Sequence, residues 1–245
     1  MPESATHQRY RSRVEQLEMH LEAMDAAARI AFNILGKEKH KEKLISDALP
    51  IESSQYSRLN HPTSHRSRVY NYCRAKNTQS AIIELHGFFS EYMCDILKEI
   101  YKTKPLLVVG KSNRQLDLKY HELIKYTNLQ DLHTKMVNDV FRNIENEQST
   151  IKLIDKILNN TDANVSEGEK NRALPYLEMR HLFIHNKGYA DGAFADKYGA
   201  QFKVKCGDKL PTKFKIADDA IANVSALTQK IDSEFLRLGL VNPLE

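Results

Sequence analysis

Apolar positions along this chain recur mostly at spacings of three and four, and that period predicts helices. Leu17, Leu21, Met24, Ala28 and Phe32 share one face of a helix from about His7 to Leu35, and Gly36 supplies a stop signal. The mixed-charge run Lys37 to Lys43 reads as a solvated helix start, and residues 49–67, rich in Ser, Asn, Pro and His, read as a loop or linker. A second long helix spans about Val69 to Lys102, with Ile82, Leu85, Phe89, Met93, Ile96, Leu97 and Ile100 as its stripe. The run Leu106 to Gly110 fits a buried loop or a strand equally well. Three shorter helices are expected over Leu116 to Thr127, Leu129 to Asn143 and Thr150 to Leu158, the last broken by Asn159-Asn160-Thr161-Asp162. Another begins near Glu167 and runs to Gly188, with Pro175 either kinking it or marking its first turn.

Past Gly188 the period shortens. Phe202, Val204 and Cys206 alternate with Lys203 and Lys205, Gly207-Asp208 gives a turn signal, and Phe214 and Ile216 alternate with Lys213 and Lys215. Period two around a turn predicts a small β-hairpin. Asp218 or Asp219 is then expected to cap a final helix through Val224, Leu227, Ile231, Phe235 and Leu238. The expected architecture is all-α: an N-terminal helical extension and linker over 1–67, then a helical domain over 68–245 that carries the hairpin.

Composition narrows the class. Only 9 Gly and 7 Pro in 245 residues leave long uninterrupted segments. No apolar stretch approaches the roughly 20 residues that span a bilayer, and the opening MPESATHQRYRSRVEQ lacks the apolar core of a secretory signal. A cytoplasmic protein with no membrane association is the expectation. Cys73, Cys94 and Cys206 are odd in number and widely spaced, so two buried helical thiols and one strand thiol are expected. A net charge of +4 is too weak to name a nucleic-acid partner. Ten histidines without HExxH or clustered ligand spacing predict no metal site, and the absence of GxxxxGK[ST] and GxGxxG argues against an NTPase or dinucleotide enzyme. No cofactor is expected.

The informative segment is Leu177-Glu178-Met179-Arg180-His181-Leu182-Phe183-Ile184-His185-Asn186-Lys187-Gly188. At about 100° per residue, Met179, Leu182, Phe183 and Asn186 share one face, which packs inward through its first three members. Leu177, Arg180, His181, Ile184 and His185 occupy the other side, a poor core face suited to a partner subunit or an anionic ligand. Arg180 and His185 diverge by about 140° on an ideal helix, so convergence needs the long Arg side chain and a loosened helix end. Gly188 is placed to be the reversal residue after His185. An imidazole beside a fixed guanidinium suits acid–base chemistry on a phosphodiester.

Arg-x4-His near the end of a late helix, in RHLFIHNKG, resembles the signature of the HEPN superfamily. The Lys-rich stretch with CGDKL and the terminal helix resemble a bacterial branch linked to toxin and antiviral defence systems, and the likeness covers residues 68 to 240. It implies a HEPN-type helical bundle acting as a metal-independent endoribonuclease. It also implies a homodimer whose composite clefts hold Arg and His from both protomers, an RNA substrate, and an antitoxin or regulatory partner. His185 would be general base toward the ribose 2′-hydroxyl or acid toward the leaving 5′-oxygen, and Arg180 would stabilise the transition state. Products would carry 2′,3′-cyclic phosphate and 5′-hydroxyl ends. His181 and Asn186 are assigned to positioning. Members controlled by a nucleotidyltransferase often carry Tyr two residues after the His; that position is Lys187 here, so such control is not supported.

Other residues carry two readings. Glu84, among Ile82, Ile83 and Leu85, is a partner for Arg180 or an exposed rim carboxylate. Lys203, Lys205, Lys213 and Lys215, with Lys187, would grip RNA phosphates or merely solubilise an edge. His65 to Tyr72 interleaves basic and aromatic residues, as a base-stacking surface or a plain helix entry. The alternative to a nuclease is a non-catalytic HEPN module that binds RNA or scaffolds a partner.

Overall fold

The computed structural model describes residues 2–104, 124–132, 134–135, 154–155, 157–158 and 161–244. The main helices are α1 (Ala5–Leu35), α2 (Ile45–Ala48), α3 (Arg66–Thr103), α4 (Glu167–His185), α5 (Gly192–Phe202) and α6 (Phe214–Arg237). Helices at 129–132 and 157–158 match two of the shorter expected ones, whereas 124–127 are not helical. The remainder of those stretches, with the run Leu106 to Gly110, lies outside the described residues. None of the described helices is long and apolar enough to cross a membrane.

The longest element, α3, is the spine. Its stripe of Ile82, Leu85, Phe89, Met93, Ile96 and Ile100 is buried in one core with Leu174, Leu177, Met179 and Leu182 of α4 and Ile221, Val224, Leu227, Ile231 and Phe235 of α6. Tyr10, Val14, Leu17 and Leu21 of α1 belong to the same core, so the N-terminal helix packs directly on the segment beyond residue 67. α1 and α3 run antiparallel along their length. Thr6 donates to Glu99 (3.1 Å), Arg13 stacks on Phe88 (4.1 Å to the ring centre), Arg74 donates to Asp25 (2.6 Å) and Arg66 lies over Phe32 (5.3 Å). The segment read as a loop or linker carries 3-10 turns at Ser53–Leu59 and Thr63–His65, and its Leu49 and Leu59 pack on a second cluster of Leu35, Ile45 and Ala48.

The expected hairpin is absent: among the described residues there is no strand, only isolated bridges. Phe202 instead closes α5, and Val204 and Cys206 lie in the irregular chain beyond it. Asp191 caps α5 by accepting from the Phe194 N–H (2.8 Å), and Phe194, Tyr198 and Phe202, spaced by four, stack along one side. Lys203 ends α5 in the left-handed region (φ 55°), and Val204 folds back so closely that a Cβ on Gly199 would sit 2.6 Å from its carbonyl oxygen. Phe214 and Ile216 lie in the first turn of α6, whose N-cap is Lys213 rather than either aspartate. Lys203, Lys205, Lys213 and Lys215 are all exposed but do not line one side of a ribbon, and Lys215 is paired with Asp219 (2.8 Å). The thiols also differ from expectation: Cys73 and Cys206 are exposed and Cys94 is half-buried. Four apolar-polar alternations are too few to separate a strand from a helix end, and here aromatic packing decides.

A polar clasp closes the far end of the bundle. Asp232, 2% exposed on α6, accepts from the Ser4 backbone N–H (2.9 Å), the Ser4 hydroxyl (2.5 Å) and the Tyr92 hydroxyl (3.5 Å). Burial and the Asp232 charge hold the Tyr92 phenol well above its ordinary range. The Leu244 N–H donates to the Glu3 carbonyl (2.8 Å), so both chain ends meet here beside a cavity of about 260 Å³ lined by Glu3, His7, Arg11 and Asp232. Asp232→Ala is expected to cost about 2–4 kcal/mol in urea unfolding, because it strands buried donors. It should also raise amide exchange selectively at residues 2–7 and 240–244.

Candidate active site

The motif helix starts from a strong local signal. The Ser166 hydroxyl accepts from the Glu169 N–H (3.2 Å) while the Glu169 carboxylate accepts from the Ser166 N–H (2.8 Å), a reciprocal capping box. The helix runs on through Pro175, which is therefore neither its first turn nor its end. The missing N–H at Pro175 frees the carbonyl of Asn171, an exposed position where water can satisfy it. Met179 and Leu182 are buried and Phe183 is half-buried, as the inward face requires. Leu177, assigned to the opposite side, is buried as well, because α4 lies in a groove between α3 and α6.

The helix ends in a tight reversal. The N–H groups of Asn186 (3.0 Å) and Gly188 (2.9 Å) both donate to the Leu182 carbonyl. Positive φ begins one residue earlier than the glycine alone suggests, at Lys187 (53°), and continues at Gly188 (78°). A side chain at Gly188 would press on the Phe183 ring (3.3 Å) and approach the Gln79 amide (3.6 Å), so the turn seats against α3. The Asn186 amide donates to the Tyr189 carbonyl (2.7 Å), which commits it to shaping this turn. The emerging chain then pairs with a later loop: Tyr189 bridges Lys209, and the Ala190 N–H donates to the Asp208 carbonyl (2.8 Å).

Arg180, His181 and His185 separate as helical geometry demands. His181 and His185, four apart, are exposed with their rings in contact (4.8 Å between centres, 42° between planes). Arg180 is half-buried and turned toward α3, where its charge bears on His86. The imidazole of His86 is pushed down to about 4, first by burial and then by that guanidinium, so it is neutral at pH 7. Its Nδ1 lies 3.4 Å from the Ser90 hydroxyl.

Glu84 is exposed and makes no ion pair with Arg180. Residues 84 and 86 point about 160° apart on a helix, so the register that aims His86 at α4 turns Glu84 away. Among the described residues Arg180 has neither a hydrogen bond nor a carboxylate partner. His86 was not among the residues singled out from the sequence. The signal was its place on the edge of the apolar stripe, seven residues after Gln79 and four before Ser90. Lys187, Lys203, Lys205 and Lys213 are exposed and, among the described residues, unpaired with any carboxylate. Among those residues no group of three His, Cys, Asp or Glu side chains is placed to hold a metal ion.

Because His86 titrates lower when folded than when unfolded, the unfolded chain takes up the proton first as pH falls from about 6.5 toward 4. Its contribution to stability is complete above pH 6.5, is lost across that window and is constant below it. Chemical denaturation of the wild type and His86→Gln at pH 7.5 and 5 should show an excess loss of about 1–3 kcal/mol for the wild type. Equal losses in both proteins would place His86 in solvent. Comparison with protein-family models, curated proteins and solved structures returns no match to this chain.

Proposed function

We propose that the chain is a metal-independent endoribonuclease of the HEPN type, with Arg180 and His185 as its catalytic residues. The supporting observation is the half-buried Arg180 guanidinium without a carboxylate partner among the described residues, facing a neutral histidine. A partly desolvated cation normally has its counter-charge in place. Where the described residues supply none, an anionic ligand is the natural complement, and a phosphodiester fits a guanidinium bidentately. The exposed imidazoles of His181 and His185, one and five residues further along, stand on the same helix end.

In this reading His185 takes the proton from a ribose 2′-hydroxyl as that oxygen attacks phosphorus. The bond from phosphorus to the 5′-oxygen breaks, and the departing oxygen takes up a proton, from the same imidazole or from one on a second copy. Arg180 bears the charge that builds on the non-bridging oxygens. The products are a 2′,3′-cyclic phosphate and a 5′-hydroxyl. Arg180 and His185 leave α4 in different directions, which favours a homodimer in which each cleft borrows from the facing motif helix. The exposed His181, Ile184 and His185 strip is the surface on which such a pairing would form. A cytoplasmic toxin or antiviral effector, restrained by an antitoxin or regulatory partner, is the biological role this chemistry suits.

Purified protein incubated with total RNA in EDTA is expected to cut it and leave cyclic phosphate ends. Arg180→Ala and His185→Ala should each lower the rate by about 10²–10⁴. Cleavage that requires a divalent metal, or that survives both substitutions, defeats the assignment. RNA binding without any cleavage by the wild type would favour the non-catalytic module.

A further inference from the structure

One stripe of α3 continues past the end of α4. Tyr72, Lys76, Gln79 and His86 recur at spacings of four, three and seven, so they share one face of the helix. His86 and Gln79 meet Arg180 and Gly188, an antiparallel register in which α3 descends as α4 ascends. Since α4 stops at His185, Tyr72 lies beyond its end, about 10 Å along α3 from Gln79. It is 64% exposed, unusual for so large a ring on a bundle helix, and the Lys76 ammonium rests 5.9 Å from its centre. Lys76 also donates to the Gln79 amide oxygen (3.2 Å). Tyr189, directly after Gly188 in the chain, is 41% exposed, with Lys209 likewise 5.9 Å from its ring centre.

Both tyrosine–lysine pairs neighbour the reversal of the motif helix, one through Gln79 and the other through Gly188. Lys76 and Lys209 have no carboxylate partner among the described residues, although many cations elsewhere are paired, including Arg11, Arg74, Lys170, Lys215 and Arg237. Among the described residues, positive charge without a carboxylate partner and exposed rings therefore coincide near this end of α4. A phosphate backbone complements the first and unstacked bases complement the second.

We propose that Tyr72 and Tyr189, with Lys76 and Lys209, form a single-strand RNA platform that stacks bases beside the motif helix end. This rests on the ribonuclease reading for its choice of ligand. Each tyrosine presents a ring to one base, and each lysine moves from the ring to a neighbouring phosphate. Duplex RNA, whose bases are already stacked, is the poorer ligand. The platform holds the strand across the turn that carries His185.

The test uses the full chain with His185→Ala, which keeps the strand intact, and a short fluorescein-labelled oligo(U) read by anisotropy. Tyr72→Ala and Tyr189→Ala should each weaken binding by about five- to a hundredfold, while the Tyr→Phe changes should retain it. Lys76→Ala and Lys209→Ala should each reduce the salt slope by about 0.7, a change the tyrosine variants do not make. Circular dichroism checks that each variant is folded. If both alanine variants bind within twofold of the parent, or if a duplex of equal length binds as well as oligo(U), the platform is wrong. RNA cut normally by Tyr72→Ala and Tyr189→Ala with unchanged binding sinks the platform and leaves the nuclease. Weakened binding in a protein that never cuts RNA leaves the platform and sinks the nuclease. A wild type that binds no RNA overturns both.

Discussion

Everything in the bundle depends on the apolar stripe of α3. Leu85, Phe89, Met93, Ile96 and Ile100 are almost wholly buried, and α1, α4 and α6 each lay a face upon them. Full burial of one such side chain contributes about 1.5–3 kcal/mol, so this stripe outweighs any single polar contact in the fold. It also sets the rotation of α3. Once Ile82, Leu85 and Phe89 point into the core, the positions of Gln79 and His86 follow, at the margin where α4 rests. The candidate site is thus a by-product of the packing register and needs no separate organising interaction.

That dependence explains what could be read in the chain and what could not. The long helices and their buried faces were legible because their period persists over many turns, as from Ile82 to Ile100 or from Val224 to Phe235. The separation of Arg180 from His185 followed from the turn angle alone. His86 was hidden because a single histidine at a stripe edge has no periodic signature; only the neighbour across the interface gives it meaning. Glu84 stayed open between a partner for Arg180 and an exposed rim carboxylate for the same reason, since sequence shows that it is near the stripe but not which edge faces α4; the structure has it exposed.

The region after the motif misled for a different cause. Phe202, Val204 and Cys206, then Phe214 and Ile216, alternate with lysines, but each run is too short to exclude a helix end followed by a loop. The stronger signals were Asp191 as a cap and the spacing of Phe194, Tyr198 and Phe202 by four. Gly199, where the Val204 carbonyl comes too close for any Cβ, marks a chain that doubles back rather than continues as a strand. The lysines, expected on one side of a ribbon, are exposed but belong to a loop and a helix start.

For the proposed nuclease, the decisive geometric fact is that α4 ends within the motif. A guanidinium on the α3 side and imidazoles on the outer side cannot both address a phosphate lying against the middle of the helix. At the terminus, however, the helix no longer separates the two faces. The reversal through Lys187 and Gly188 brings the backbone back against Gln79. The unpaired lysines and exposed tyrosines lie near that reversal. Under the proposal, a strand laid there would meet Arg180 from one side and His185 from the other, whether the second imidazole comes from the same chain or from a facing copy. The position of the helix end therefore joins chemistry to binding in this reading.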